Sequence, residues 1–350
     1  MGIKELMDTS KLEWISSEGP DNDIIISSRV RLARNLKDVP FPHLLDSSKA
    51  KEIVKQVCDA FSTSPFLASN SSIYFMNELS PIERTMLVEL HLISPDLASS
   101  KNGAVIIKPN ETISIMINEE DHIRIQTVFP GLQLKQAYDL ASKVDDILEE
   151  NLDFAFNEKI GYLTSCPTNV GTGLRASLMM HLPLLTQTEQ ISRIFSTISQ
   201  LGLVVRGLFG EGTQAKGNLY QISNQITLGK SEEDIIENLI GVAQQVIKNE
   251  RKMRESLTGE IRLRLEDRIL RSYGILTNAK MISSEEAMEL ISDVRLGVYM
   301  GIIKDLKPSE LNQLFITTGP AYIQQKSGKE LSPMERDLSR AEFIKSKLMK

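Results

Sequence analysis

Two cysteines, one tryptophan and four histidines stand in 350 residues, and aromatic side chains make up only 5%. So few thiols exclude a disulfide framework and a four-thiolate metal site. No apolar run approaches the length needed to cross a bilayer. The stretch Met1–Trp14 alternates charged and apolar residues, unlike a secretory leader. A basic surplus is missing too, since 40 Lys and Arg face 46 Asp and Glu for a net charge of −6. That balance argues against nucleic acid or an anionic membrane as a direct partner. The chain also lacks GxxxxGKS/T, HRD and DFG, which removes P-loop and eukaryotic-type protein kinases. A cytoplasmic protein with reduced thiols is the expectation.

What is present has a clear order. Strand patterns run over Asp23–Arg31, Ala104–Lys108, Thr112–Ile117, His122–Phe129, Ile160–Thr164, Arg175–Leu182, Leu203–Leu208 and Leu219–Ser223. Helical spacing marks Ser47–Phe61 and about 133–152, and Ser80-Pro81-Ile82-Glu83 reads as a capping box with Pro at the first helical position. Thr186 with Glu189 reads as the start of a further helix. Neighbouring strands joined by short turns point to an α+β fold, an antiparallel sheet flanked by helices. Beyond Ser231 the texture turns helical, with starts at Ser231, Ser283 and Ser332. The expected division is a mixed α+β domain over 1–255 and an all-helical domain over 256–350.

Arginine is unevenly spread. Only Arg29, Arg31, Arg34, Arg84, Arg124, Arg175, Arg193 and Arg206 precede Glu250. The segment Cys166-Pro167-Thr168-Asn169-Val170-Gly171-Thr172-Gly173-Leu174-Arg175-Ala176-Ser177 combines two glycines, through which backbone amides can approach an anion, with a planar cationic fork. Gly171, Gly173 and Ala176 also fit a GxGxxA dinucleotide fingerprint, a reading that requires a helix to follow the loop.

Four segments occur in order: SSRVRLARN (Ser27–Asn35), NEEDH with Arg124 (Asn118–Arg124), CPTNVGTGLRAS (Cys166–Ser177) and RGLFGE (Arg206–Glu211). Together they resemble the catalytic domain of the phosphagen (ATP:guanido) kinases, over about residues 23–255. The resemblance implies a phosphagen-kinase-like fold and a nucleotide site built from Ser27, Ser28, Arg29, Val30, Arg31, Arg124, Arg175, Ala176, Ser177, Leu178, Met179, Arg206, Gly207, Leu208, Phe209, Gly210 and Glu211, with His91 on the adenine side. For His91, a plain polar helix face is the competing reading. Phosphoryl transfer passes through a loose transition state, so alignment and charge neutralisation dominate its catalysis. A guanidinium is a poor nucleophile until it loses a proton. By resemblance, Glu120 and Glu211 hold and deprotonate that acceptor and Cys166 helps order it. Only motif position selects Glu120 over Glu119 and Asp121. ATP and Mg²⁺ are the implied cofactors, the metal held mainly by phosphates and water, with no protein metal site.

Because SSRVR begins at residue 27 and a helical segment follows, the pattern is similar to the bacterial protein-arginine kinases within that family. Arg336-Asp337-Leu338-Ser339-Arg340-Ala341 matches their RDxxRA regulatory phosphoarginine pocket, the alternative being a solvated terminal helix. That resemblance implies transfer of the ATP γ-phosphate to arginine side chains of proteins, marking them for a Clp-type chaperone and protease and controlling a stress-gene repressor. An activator protein and a homodimer are expected. Rival readings are a kinase for a free guanidino compound and a non-catalytic phosphoarginine reader.

Overall fold

The computed structural model describes residues 3–108, 113–207 and 216–349. Among the described residues ten strands form: β1 (Ile25–Arg34), β2 (Ser72–Phe75), β3 (Ala104–Lys108), β4 (Ile113–Ile117), β5 (Ile123–Pro130), β6 (Phe156–Asn157), β7 (Gly161–Tyr162), β8 (Leu174–His181), β9 (Leu203–Gly207) and β10 (Leu219–Asn224). Eight of them make one sheet in the order β2-β3-β4-β5-β1-β8-β10-β9, and β6 with β7 make a small hairpin. Every pairing in the large sheet is antiparallel, as the short turns in the sequence predict.

Alternation along the strands divides the residues between two faces. On one face Val30, Leu32, Ile125, Ala176, Leu178 and Ile222 are buried against the helices Ser47–Ser62, Leu134–Glu149 and Glu232–Ser256. The opposite face carries a second core. There Tyr74, Val105, Ile107, Met116, Val128 and Leu219 of the sheet share one apolar cluster with Leu265, Ile291, Leu314, Tyr322 and Ile344 of the C-terminal helices. The helix Glu232–Ser256 thus packs with the sheet, while the helices from Gly259 onward cover the far face.

The start signals at Ser80, Ser231, Ser283 and Ser332 each become N-caps whose hydroxyl accepts a backbone N–H. Two local expectations fail. Thr186 does not cap a helix: it lies inside the short helix Pro183–Gln187 and its hydroxyl donates to the Leu182 carbonyl, so the next helix begins only at Ile191. The expected strand Ile160–Thr164 shrinks to Gly161–Tyr162, because Tyr162 pairs with Phe156 on one side and bridges Gly171 on the other.

Candidate active site

Register gathers the arginines. Arg31 of β1 lies opposite Arg175 of β8 and Gln126 of β5, and Arg29 lies opposite Ser177. Arg124 is two residues from Gln126 and shares its face. Across the other edge, Met179 of β8 pairs with Gln221 of β10, which pairs with Arg206 of β9. Paired residues point the same way, so Arg29, Arg31, Arg124, Arg175 and Arg206 stand on one side of the sheet.

Arg29 donates to Gln221 Oε1 at 2.7 Å and to Ser177 Oγ at 3.4 Å. Burial, then repulsion from Arg175 and Arg124, pushes Arg29 down to about 10. Arg31 is driven down by burial and by the same neighbours, and its buried Nε has no hydrogen-bond partner among the described residues. Both guanidinium groups stay protonated near neutral pH. Cations held this close have the charge and donors to receive a polyanion such as a triphosphate.

Beside them, Asn118–His122 presents three adjacent acids in different surroundings. Glu119 is wholly buried, accepts from Arg124 Nη1 at 2.5 Å and from Ser94 Oγ at 2.5 Å, and receives the Glu120 backbone N–H. Glu120 accepts from Arg124 Nη2 at 2.8 Å but keeps 38% of its side chain exposed. Burial raises its pKa against the pull of Arg124. Asp121 is buried and takes N–H bonds from Asn35 and from the Ser165 backbone, each at 2.7 Å. It therefore ties the acidic loop to the residue preceding Cys166. The Cys166 thiol lies 3.0 Å from Thr168 Oγ1.

The loop between Cys166 and β8 is shaped by Arg34, a residue with no assigned place in the sequence reading. Arg34 faces away from the cleft, donates twice to Asp145 and reaches the carbonyls of Ala33 and Thr172. Gly173 has φ 65°, and a Cβ there would lie 2.6 Å from both the Ala33 carbonyl and Arg34 Nη1. The loop leads straight into β8, so the helix that a dinucleotide fingerprint needs is absent.

A cavity of about 550 Å³ opens over the arginine face. Arg29, Arg31, Gln126 and Arg206 line one wall and Met288 and Phe315 of the C-terminal helices line another. His91 also lines it, though not from a helix face: it follows the Pro81–Glu89 helix in the left-handed region at φ 56°. Burial, then Arg29, pushes its imidazole down to about 3.

Other candidate residues sit elsewhere. Met179 and Gly207 reach the cavity. Val30, Ala176 and Leu178 point into the core on the opposite face and place no side chain in the cleft. Ser27 is buried, and Ser28 is spent internally, donating to the Gly131 carbonyl and accepting from Gln133 N–H. Leu208, Phe209, Gly210 and Glu211 lie outside the described residues. In the last helix, Arg336 donates to the Leu331 carbonyl and Leu338 and Ser339 are half-buried. At Arg340 the helix is not solvated, as the alternative reading had it. This residue is 2% exposed, bonded to the carbonyls of Thr318 and Ile282 and paired with Asp337, beside buried Ala341.

Residues 52–253 match the ATP:guanido phosphotransferase C-terminal catalytic domain. The chain belongs to the ATP:guanido phosphotransferase family. Residues 262–350 of this family member match the C-terminal domain of the protein-arginine kinase McsB. It is 53% identical over 350 residues to the protein-arginine kinase of Geobacillus sp. (strain WCH70), covering 99% of this chain and 97% of the relative. To the protein-arginine kinase of Bacillus subtilis (strain 168) it is 51% identical over 349 residues, covering 99% and 96%. Among solved structures, lombricine kinase superposes with a TM-score of 0.59 at 25% identity over 73% of this chain and 79% of that one. The duplicated taurocyamine kinase of Schistosoma mansoni shares the fold, with a TM-score of 0.59 at 20% identity over 91% and 49%.

Proposed function

We propose that this protein is an ATP-dependent protein-arginine kinase. The bond from the γ-phosphorus to the β,γ-bridging oxygen breaks, a phosphorus–nitrogen bond forms on an arginine side chain of a protein, and the guanidinium gives up a proton. The observation that carries the reading is the convergence of five arginines on one sheet face beside a half-exposed carboxylate, Glu120. Full-length relatives described as protein-arginine kinases support it.

Arg29, Arg31, Arg124, Arg175 and Arg206 hold the phosphates and His91 lies on the adenine side. The depressed imidazole suits that place, because a neutral ring can lie against a base without adding to the crowded positive charge. Glu120, with Glu211, receives the acceptor guanidinium and takes its proton; Cys166, joined to Glu120 through Asp121 and Ser165, helps orient it. Mg²⁺ adds positive charge at the phosphates and is held mainly by them and by water. Among the described residues no group of three or more His, Cys, Asp or Glu is placed to ligate a metal.

The finer reading follows the same resemblance. Residues 1–255 act as the catalytic unit and 256–350 as the regulatory, phosphoarginine-binding unit. Modified proteins pass to a Clp-type protease, a stress-gene repressor is among the substrates, an activator protein and a homodimer are involved, and the setting is the cytoplasm. Incubation with ATP and a protein acceptor, followed by mass spectrometry under non-acidic conditions, should reveal phosphoarginine. ADP release driven by free arginine but not by protein would overturn the proposal in favour of a small-guanidine kinase. Neither response would favour a non-catalytic reader.

A further inference from the structure

Trp14 is the sole tryptophan and precedes all four motifs in the chain. It sits on a single helical turn, Glu13–Ser16, and is 1% exposed. The segment around it is fastened to the C-terminal helices. Thr9 Oγ1 donates to Gln313 Oε1 at 3.2 Å, and Tyr322 Oη donates to the Met7 carbonyl at 2.7 Å. Leu12 and Ile15, both fully buried, join the apolar cluster that those helices share with the sheet. A side chain as large as Trp14, closed in by such packing, holds one position.

Its ring meets that of His91 at 82°, with centroids 5.9 Å apart, the edge-to-face geometry that aromatic pairs favour. The His91 backbone is fixed separately. Its N–H donates to the Val88 carbonyl at 2.9 Å, and its carbonyl accepts from Gln126 Nε2 at 2.8 Å. Gln126 lies opposite Arg31 and shares a sheet face with Arg124. The backbone of His91 is thus tied to the arginine face and its imidazole to Trp14. At φ 56° this histidine is left-handed, a costly conformation that persists where the surroundings over-determine it. Trp14 is not among the described residues that line the cavity over the arginine face. With His91, Arg29, Ser177 and Gln221 it borders a separate niche of about 10 Å³, room for no more than about one water molecule. Its Nε1 is buried with no hydrogen-bond partner among the described residues, so the indole contributes its ring.

We propose that Trp14 is a positioning residue for nucleotide binding: it holds the His91 ring in place near Arg29 and so sets the spacing between the adenine side and the phosphate side of the site. Trp14 acts through His91 and not on the nucleotide itself. A ring set in advance need not be ordered when the nucleotide arrives, so loss of the support appears in nucleotide affinity. The inference rests on the kinase reading above, with His91 on the adenine side.

A double-variant cycle in the full-length protein tests it. Trp14→Phe keeps an aromatic ring and removes an orphaned donor, so the fold should be kept, as circular dichroism would read. Its smaller ring gives up part of the contact with His91. The Kd for ADP, read by calorimetry, should rise about fivefold and the KM for ATP with it, while the KM for the protein acceptor stays within about twofold. His91→Ala should weaken ADP binding about tenfold, and Trp14→Phe in that background should add less than about twofold. The parent protein gives a reading that needs no variant: saturating ADP should change the emission of Trp14. An unchanged Kd in Trp14→Phe, losses that add in the double variant, or unchanged emission overturns the inference and leaves the kinase reading in place. Absence of phosphoarginine with the parent protein overturns the kinase reading instead.

Discussion

Glu119 and Glu120 both reach Arg124, yet their surroundings give them different work. Glu119 is buried with every visible bond directed inward, so it sets the position of Arg124. Glu120 keeps 38% of its side chain exposed. Glu120→Gln keeps the shape but removes the proposed proton acceptor, and should lower kcat by roughly 10²–10⁴ with the thermal midpoint little changed. Glu119→Gln should instead cost stability, about 1–3 kcal/mol for the disturbed buried bonds to Arg124 and Ser94, read from urea unfolding. The pH profile follows from the same residue. Burial raises the Glu120 pKa and the carboxylate is the working form, so activity is present above that raised pKa and lost as pH falls through it. An acid limb at or below about 4.3, the ordinary glutamate value, would contradict this. His91, already pushed to about 3, contributes no limb near neutrality.

At the scale of elements, β1 serves two functions through its two faces. Arg29 and Arg31 face the cleft; Arg34 faces the other way and forms a buried pair with Asp145, with 3% and 8% of the two side chains exposed. Because Arg34 also fixes the turn at Gly173, it is the support on which the loop ending at Arg175 is built. Arg34→Ala leaves Asp145 buried without its cation and should cost about 3–5 kcal/mol in urea unfolding. A loss under about 1 kcal/mol would show that water replaces the pair. The helix Pro320–Ser327 likewise draws on a distant residue: it has no side-chain cap of its own, and Glu89 from another helix accepts the N–H groups of Ala321 and Tyr322 at 2.9 and 2.8 Å.

Across the whole molecule, the change of texture near residue 255 is real in sequence but is not a gap in packing. One apolar cluster runs from Leu12 and Trp14 through the sheet into the C-terminal helices. Trp14, the sole tryptophan, is 1% exposed within it and sits edge-on to His91 at 5.9 Å. Urea unfolding followed by Trp14 fluorescence and by far-ultraviolet circular dichroism should give coincident transitions. Two resolved transitions would mean that the shared core is weaker than its burial implies. A chain truncated after residue 255 loses Ile291, Leu314 and the rest of the helical cover. It should expose the apolar sheet residues Val105, Ile107 and Met116 and aggregate, as light scattering would read.

The sequence alone determined most of the elements, the antiparallel class and the motifs that supply the arginines of the cleft. Strand alternation and N-cap chemistry are local, and the charged residues of the site sit in contiguous motifs. It did not distinguish Glu119 from Glu120 except by motif position, because burial is decided by Ser94 and Arg124, which are distant or non-adjacent in the chain. It placed Val30, Ala176 and Leu178 with the site because they share its motifs, although alternation turns their side chains into the core. A solvated last helix stayed open as an alternative for Arg340 because its anchors, Thr318 and Ile282, lie on other segments. The wall that the C-terminal helices add to the arginine cleft, and the contact between Trp14 and His91, depend on long-range packing between segments whose local patterns carry no record of each other.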